Sequence, residues 1–160
     1  MTQESVAFPE VGEKAPAFTL PSDTDEKIRL SSLVGNPVVL FFYPKDNTPG
    51  CTTEAQEFRD LSPAFAKLGV RVFGISPDST VPHRKFVEKQ SLNFPLLSDT
   101  EHKTIEKYGL RVEKKLYGRA YWGVQRATLL LDSIGKVAAV WPKVKPKGHA
   151  AEVLEAAKAL

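Results

Sequence analysis

The stretch from Val38 to Asp60, VVLFFYPKDNTPGCTTEAQEFRD, constrains this chain more than any other. Val38 to Phe42 are consecutive apolar or aromatic residues with no polar alternation, the pattern of a strand covered on both faces of a parallel-type sheet. Such a strand belongs at the centre of a sheet. Pro44, Pro49 and Gly50 follow closely, so neither strand nor helix can continue and the chain must turn. Cys51, the only cysteine, then falls in the first turn of the next helix. Backbone N–H groups there have no intrahelical partner and the helix dipole is positive, which favours a thiolate over a thiol. A cysteine so placed is a candidate nucleophile.

The rest of the chain reads in order as follows. Residues 1–10 are polar and irregular, a mobile lead-in. Ala17 to Leu20 and Lys27 to Leu30 flank Pro21 to Glu26 as a hairpin. From Thr52, the positions Ala55, Phe58, Phe65 and Leu68 suit one helix face, with Pro63 either kinking that helix or restarting it after Ser62. Gly69 ends it. Val70 to Ile75 reads as a second core strand, Val81 to Gln90 as a helix, and Phe94 to Leu97 as a short strand. Asp99 or Thr100 is placed to cap a helix through Tyr108. Residues 110–123 lack periodicity and read as a loop. Val124 to Leu131 and Lys136 to Trp141 form a hairpin around Asp132 to Gly135, and His149 to Leu160 is a closing amphipathic helix. The whole, residues 1–160, reads as one α/β domain with a mixed central sheet flanked by helices and preceded by the hairpin. Periodicity alone does not separate this from several small α/β folds.

The spacing Pro44-x-x-x-Thr48-x-x-Cys51 is similar to the peroxidatic motif of the peroxiredoxins, an AhpC/TSA-like family, and the longer run FFYPKDNTPGCTTEAQEFRD resembles their bacterioferritin-comigratory, or Q-type, branch. The resemblance continues through Gly74-Ile75-Ser76 with Asp78-Ser79, through Phe94 to Asp99, and through Gly123 to Arg126 leading into Thr128 to Asp132. It covers nearly the whole chain. It implies the thioredoxin fold and a thiol-dependent peroxidase, an oxidoreductase that reduces hydrogen peroxide and organic hydroperoxides through a sulfenic acid on Cys51. It implies no cofactor and no metal.

For such chemistry Cys51 must be ionised, the peroxide must be aligned, and water must be kept away. The family's arginine, in the strand following the Gly-Val-x-Arg segment, falls on Arg126, whose planar fork suits holding a sulfur and a peroxide oxygen together. Thr48 is placed to hydrogen-bond the peroxide, and the backbone N–H groups of Gly50 and Cys51 to meet charge developing on the departing oxygen. The ring of Pro44 shields the thiolate, and Glu54, one turn after Cys51, anchors the pocket.

Simpler readings compete with each assignment. A lone cysteine is ordinarily a small core residue, Thr48 alone is a helix cap, and Arg126 alone is a strand surface residue. Only their joint register makes a site. Arg59 and Asp60 read as a structural ion pair. A hydrolase in which a histidine activates Cys51 would need His83, His102 or His149, none of which carries a matching signature; nor does their spacing make a metal site. A thiol–disulfide oxidoreductase is disfavoured because no C-x-x-C pair precedes the helix. A peroxide sensor of the same fold would show a partner-specific mixed disulfide with poor turnover.

The chain departs from many Q-type members at Gln56, where they carry a second, resolving cysteine. With Cys51 alone, the sulfenic acid cannot close an internal disulfide, so an outside thiol (a thioredoxin, a glutaredoxin or a low-molecular-weight thiol) must reduce it or a second chain must pair with it. The expected partners are therefore peroxide and that reductant, in a monomer or weak dimer. A net charge of +3 without basic residues interleaved with stacking aromatics argues against nucleic acid, and Lys143 to Lys147 reads as a solvated loop. No apolar run approaches the roughly 20 residues of a membrane span. The N-terminus has neither basic nor apolar regions of a secretory signal, and a lone thiol suits the reducing cytoplasm.

Overall fold

The computed structural model describes residues 7–160. In chain order its elements are β1 (Thr19–Pro21), β2 (Lys27–Arg29), a 3-10 turn (Leu30–Leu33), β3 (Val38–Phe42), α1 (Pro49–Lys67), β4 (Arg71–Ser76), α2 (Thr80–Gln90), β5 (Leu96–Ser98), α3 (Lys103–Lys107), β6 (Arg111–Leu116), β7 (Arg119–Val124), β8 (Ala127–Leu131), β9 (Val137–Trp141) and α4 (His149–Lys158). The expected N-terminal hairpin is β1 paired antiparallel with β2. Of the lead-in read over residues 1–10, residues 1–6 lie outside the described residues, and Phe8 packs against the core rather than standing free.

β3 is the middle of the five-stranded sheet β5-β4-β3-β8-β9. It runs parallel to β4 and antiparallel to β8, and every one of its residues is buried. Successive side chains point to opposite faces, and the two core layers follow that alternation. Val38, Leu40 and Phe42 join Phe18, Ile105 and Tyr108 on one face. Val39, Phe41 and Tyr43 join Ala55 and Phe58 of α1, Phe86 of α2 and Val153 of α4 on the other. Removing one such side chain from water is worth roughly 2 kcal/mol, so this run draws β3 into the middle of the sheet, covered on both faces. On the helix side Phe41 stacks on Phe58 with ring centroids 4.6 Å apart. Gly74 faces them: a Cβ there would stand 2.8 Å from Phe41 Cζ and 2.8 Å from Leu96 Cδ2.

α1 passes through Pro63 as one helix and does not restart after Ser62. A proline deprives the carbonyl four residues earlier of its donor; here that carbonyl belongs to Arg59, and Asn93 Nδ2 donates to it at 3.2 Å. The helix stops where expected. Gly69, at φ +72°, donates to Ala66 O, and Val70 donates to Phe65 O, the paired bonds of a Schellman ending.

The segment 110–123 is not a loop. β6 and β7 pair over its length, from Arg111 opposite Val124 to Leu116 opposite Arg119. Tyr117 and Gly118, at φ 52° and 77°, close it, the two positive angles that a two-residue type I′ hairpin requires. Most of its side chains meet solvent, so there is no apolar alternation to read. The run expected over Val124 to Leu131 is likewise two elements, broken at Gln125 and Arg126. His102, at φ 61°, holds the N-cap position of α3 instead of Asp99 or Thr100, but Asp99 reaches in from before it, its Oδ2 accepting from Ile105 N–H at 2.7 Å. Among the described residues no helix is long and apolar enough to cross a membrane.

Candidate active site

Pro49 opens α1 at the first helical position, where a missing N–H costs nothing; Thr48 precedes it with extended backbone, φ −91° and ψ 155°. The first backbone bond of the helix runs from Thr52 N–H to Thr48 O at 2.8 Å. The amides of Gly50 and Cys51 precede it, pointing out of the positive end of the helix. Cys51 lies among them, 2% exposed.

Arg126 comes from the break between β7 and β8 and so reaches the same spot from the neighbouring strand. Its Nη2 donates to Cys51 Sγ at 3.2 Å, and its Nη1 donates to Glu54 Oε1 at 2.8 Å. A donated hydrogen bond and a fixed positive charge both act in favour of an anionic sulfur. The backbone of Arg126 is fixed as well, its carbonyl accepting from Val144 N–H at 3.1 Å and from Gln125 Nε2 at 3.1 Å. Gly50 leaves room for the guanidinium: a Cβ at that position would lie 3.2 Å from Arg126 Nη2 and 3.4 Å from Pro146 Cγ. The basic segment Lys143 to Lys147 is exposed at its lysines, as expected, and is also moored beside the site.

Glu54 is fully buried, and its Oε2 has no hydrogen-bond partner among the described residues. Burial raises its carboxyl to about 7, against the opposing pull of Arg126. On Arg126 burial works against the charge, but Glu54 and Cys51 more than offset it and hold the guanidinium above its ordinary value.

Thr48 is near the sulfur in sequence, but its hydroxyl donates to Lys45 O at 2.8 Å and caps nothing. Pro44 is half-buried at the start of the same turn. Gln56 donates to Gln90 Oε1 at 2.8 Å and ties α1 to α2. Arg59 pairs with Asp60 at 2.9 Å and also donates to Gln90 O at 2.7 Å.

No histidine bonds Cys51 among the described residues. His83 is held between Asp46 and Leu97 O, and His149 Nε2 lies 2.8 Å from Thr128 Oγ1. Burial first, then Arg126, lowers His149 to about 4, so it stands neutral. Both are core residues, not members of the polar helical surfaces that the sequence suggests. Lys114 was not anticipated. Its ammonium is held below the ordinary value by burial and by Arg126, with Cys51 opposing, and its stem lies along Gly123, where a Cβ would be 3.1 Å from Lys114 Cδ. Reading its strand as a loop hid it.

Comparison with known proteins agrees. The AhpC/TSA family matches residues 11–140. A putative peroxiredoxin of Coxiella burnetii is 52% identical over 145 residues, which cover 91% of this chain and 96% of that protein. A peroxiredoxin of Bacillus subtilis is 48% identical over 149 residues, 93% of this chain and 95% of that one. Among solved structures, Xanthomonas campestris peroxiredoxin Q superposes with a TM-score of 0.85 at 41% identity, covering 89% of this chain and 90% of that one. The bacterioferritin comigratory protein of the same organism superposes at 0.88 with 38% identity, covering 94% and 98%. The class is therefore a thiol-dependent peroxidase on the thioredoxin fold. More narrowly, the chain belongs to the AhpC/TSA family, among its bacterioferritin-comigratory, Q-type peroxiredoxins, as a member with a single cysteine.

Proposed function

We propose that Cys51 is the peroxidatic nucleophile and that Arg126, Thr48, Gly50, Pro44 and Glu54 build its pocket. The observation that carries this reading is the guanidinium shared between Cys51 Sγ and Glu54 Oε1, since a fork held at one prong presents the other in a fixed direction. The thiolate attacks the nearer peroxide oxygen, an S–O bond forms as the O–O bond breaks, and the departing oxygen leaves as water or an alcohol once it gains a proton. Cys51 is oxidised to sulfenic acid; the peroxide is reduced.

Thr48 acts here as an acceptor. Its own proton is committed to Lys45 O, so its oxygen offers lone pairs to the peroxide O–H and aligns it for in-line attack. The amides of Gly50 and Cys51 and the guanidinium of Arg126 meet the charge developing on oxygen. Pro44 limits water at the thiolate, and Glu54 holds Arg126 as a positioning residue.

The substrates are hydrogen peroxide and organic hydroperoxides; the Xanthomonas bacterioferritin comigratory protein is described as having alkyl peroxide reduction activity, which supports the second. An external thiol, from a thioredoxin, a glutaredoxin or a small thiol, attacks the sulfenic sulfur and releases water, and a second thiol frees Cys51 and leaves as the disulfide. The chain works as a monomer or weak dimer in the cytoplasm, where a lone thiol stays reduced. The test is the rate at which hydrogen peroxide consumes reduced Cys51, measured by competition with a fast peroxidase and with Cys51→Ser as blank. A rate orders of magnitude above a free thiol's supports the assembled site; a free-thiol rate rejects it for this substrate.

A further inference from the structure

The turn that carries Pro44 and Thr48 is held by two buried groups that the chemistry above does not use. The His83 side chain is 0% exposed and that of Asp46 4%. His83 Nε2 lies 3.0 Å from Leu97 O, and His83 Nδ1 lies 2.6 Å from Asp46 Oδ2. Asp46 Oδ1 accepts from Tyr43 Oη at 2.6 Å. The backbone N–H of Asp46 donates to Asp78 Oδ2 at 2.7 Å, and that oxygen also accepts from Ser76 Oγ at 2.7 Å.

These contacts fix a proton count. A carbonyl oxygen only accepts, so Nε2 carries a proton. Neutral imidazole would then meet the carboxylate lone pair to lone pair at Nδ1, a repulsive contact in a buried site. A second proton must lie between Nδ1 and Oδ2. Asp46 and His83 thus form a neutral unit holding two protons, in effect an imidazolium against a carboxylate. Asp46, Asp78 and His83 also bring their donor atoms within 4.8 Å of one another, as a cation site would, but the hydrogen bonds above already occupy those atoms.

We propose that this doubly protonated pair latches the Pro44–Gly50 turn to α2 and β5, making Asp46 and His83 positioning residues for Thr48. Within the turn, Asn47 sits in the left-handed region at φ 62°, a conformation asparagine tolerates in turns. A second tether from α2, Lys89 Nζ to Asn47 Oδ1 at 3.1 Å, acts on that residue. Thr48 in turn takes its hydroxyl direction from Lys45 O, the carbonyl bonded to the Asp46 nitrogen. Displacing Asp46 therefore turns the acceptor that orients Thr48. The consequence for rate rests on the peroxidase reading; the proton count and the latch do not.

The test has two parts, neither dependent on turnover. Nitrogen-15 NMR of the histidine rings in the reduced protein at neutral pH should show both His83 nitrogens bearing hydrogen. In Asp46→Asn only Nε2 should, because the asparagine amide can donate to Nδ1 while its carbonyl still accepts from Tyr43, leaving the geometry intact. A single N–H on His83 in the parent protein, together with an ionised Asp46 carboxyl by carbon-13 NMR, overturns the proton count. Hydrogen exchange over residues 44–50 should then quicken by about tenfold or more in His83→Gln, with the peroxide rate falling by a similar factor. Unchanged exchange in that turn overturns the latch. Should His83→Gln fail to fold, Asp46→Ala, which removes the contacts to both His83 and Tyr43, carries the exchange test, with faster exchange confined to the turn supporting the latch and unchanged exchange overturning it.

Discussion

Arg126 reaches Cys51 across 75 positions of sequence, its Nη2 3.2 Å from Sγ. Its other terminal nitrogen is bound to Glu54, so the guanidinium cannot swing away from the sulfur without stranding a buried carboxyl. Arg126→Lys keeps a charge but loses the fork, and one ammonium cannot hold the same two directions. The rate of Cys51 oxidation should fall by about 10²-fold or more in stopped-flow assays with hydrogen peroxide. Because the unpaired Glu54 would itself destabilise the fold, the comparison is best made in a Glu54→Gln background. A rate within a factor of about two of the parent would remove Arg126 from the chemistry.

Glu54 also gives the protein a pH signature. Its folded value, about 7, lies above the ordinary 4.5 because burial outweighs Arg126. The folded state therefore keeps a proton that the unfolded chain gives up. Stability from this group is complete below the unfolded value and is lost as pH rises through about 7. Glu54→Gln is uncharged at every pH and lacks that loss. Urea unfolding at about pH 5 and about pH 8 should show the variant gaining on the parent as pH rises; a gap that does not change with pH would mean that Glu54 titrates in the ordinary range.

The helix side of the sheet leaves no space opposite Gly74. A methyl there would sit 2.8 Å from both Phe41 Cζ and Leu96 Cδ2, and Phe41 is already stacked on Phe58. Gly74→Ala should cost about 1–3 kcal/mol, read as a lower denaturant midpoint with an unchanged slope. An unchanged midpoint would mean that the stack relaxes freely.

What the sequence discloses and conceals here has a common physical basis. β3 and the start of α1 are legible because their causes are local: an apolar run buried on both faces, and prolines at a turn followed by a helix start. Arg126 is legible only through likeness to a family, since nothing near it in sequence says that it will meet Cys51. His83 looks like a surface residue in the polar run TVPHRKF, because its partners Asp46 and Leu97 come from other elements. The β6–β7 hairpin is hidden because both faces are wet and its turn is Tyr117-Gly118 rather than an asparagine–glycine pair. Pro63 leaves the choice between one helix and a restart open, because its compensation lies in Asn93, outside the helix.

That compensation is testable. Pro63→Ala restores a helical donor to Arg59 O, and alanine is the better helix former by up to about 3 kcal/mol in an interior position, less what proline contributes by restricting the unfolded chain. A net gain of about 1 kcal/mol is expected from thermal or urea unfolding. Asn93→Ala alone should destabilise, and should lose its effect once Pro63→Ala is present, because Arg59 O then has another donor. Additive effects of the two substitutions would show that Asn93 does not stand in for the missing amide.

The single cysteine sets the fate of the oxidised enzyme. Cys51 is the only cysteine, and Gln56, about one and a half turns further along α1, is bonded to Gln90, so nothing within the chain can close a disulfide on the Cys51 sulfenic acid. At excess peroxide and without a reducing thiol, that acid keeps its place beside Arg126 and is attacked again, passing to sulfinic acid. Intact mass spectrometry after a graded peroxide dose should show the one-oxygen species giving way to a two-oxygen species, with no disulfide-linked dimer on a non-reducing gel. Adding a small thiol before the peroxide should suppress the two-oxygen species by competing for the sulfenic sulfur. Absence of that species at high dose would mean that a second molecule captures the sulfenic acid first, and a dimer band abolished by Cys51→Ser would identify another copy of this chain as the captor.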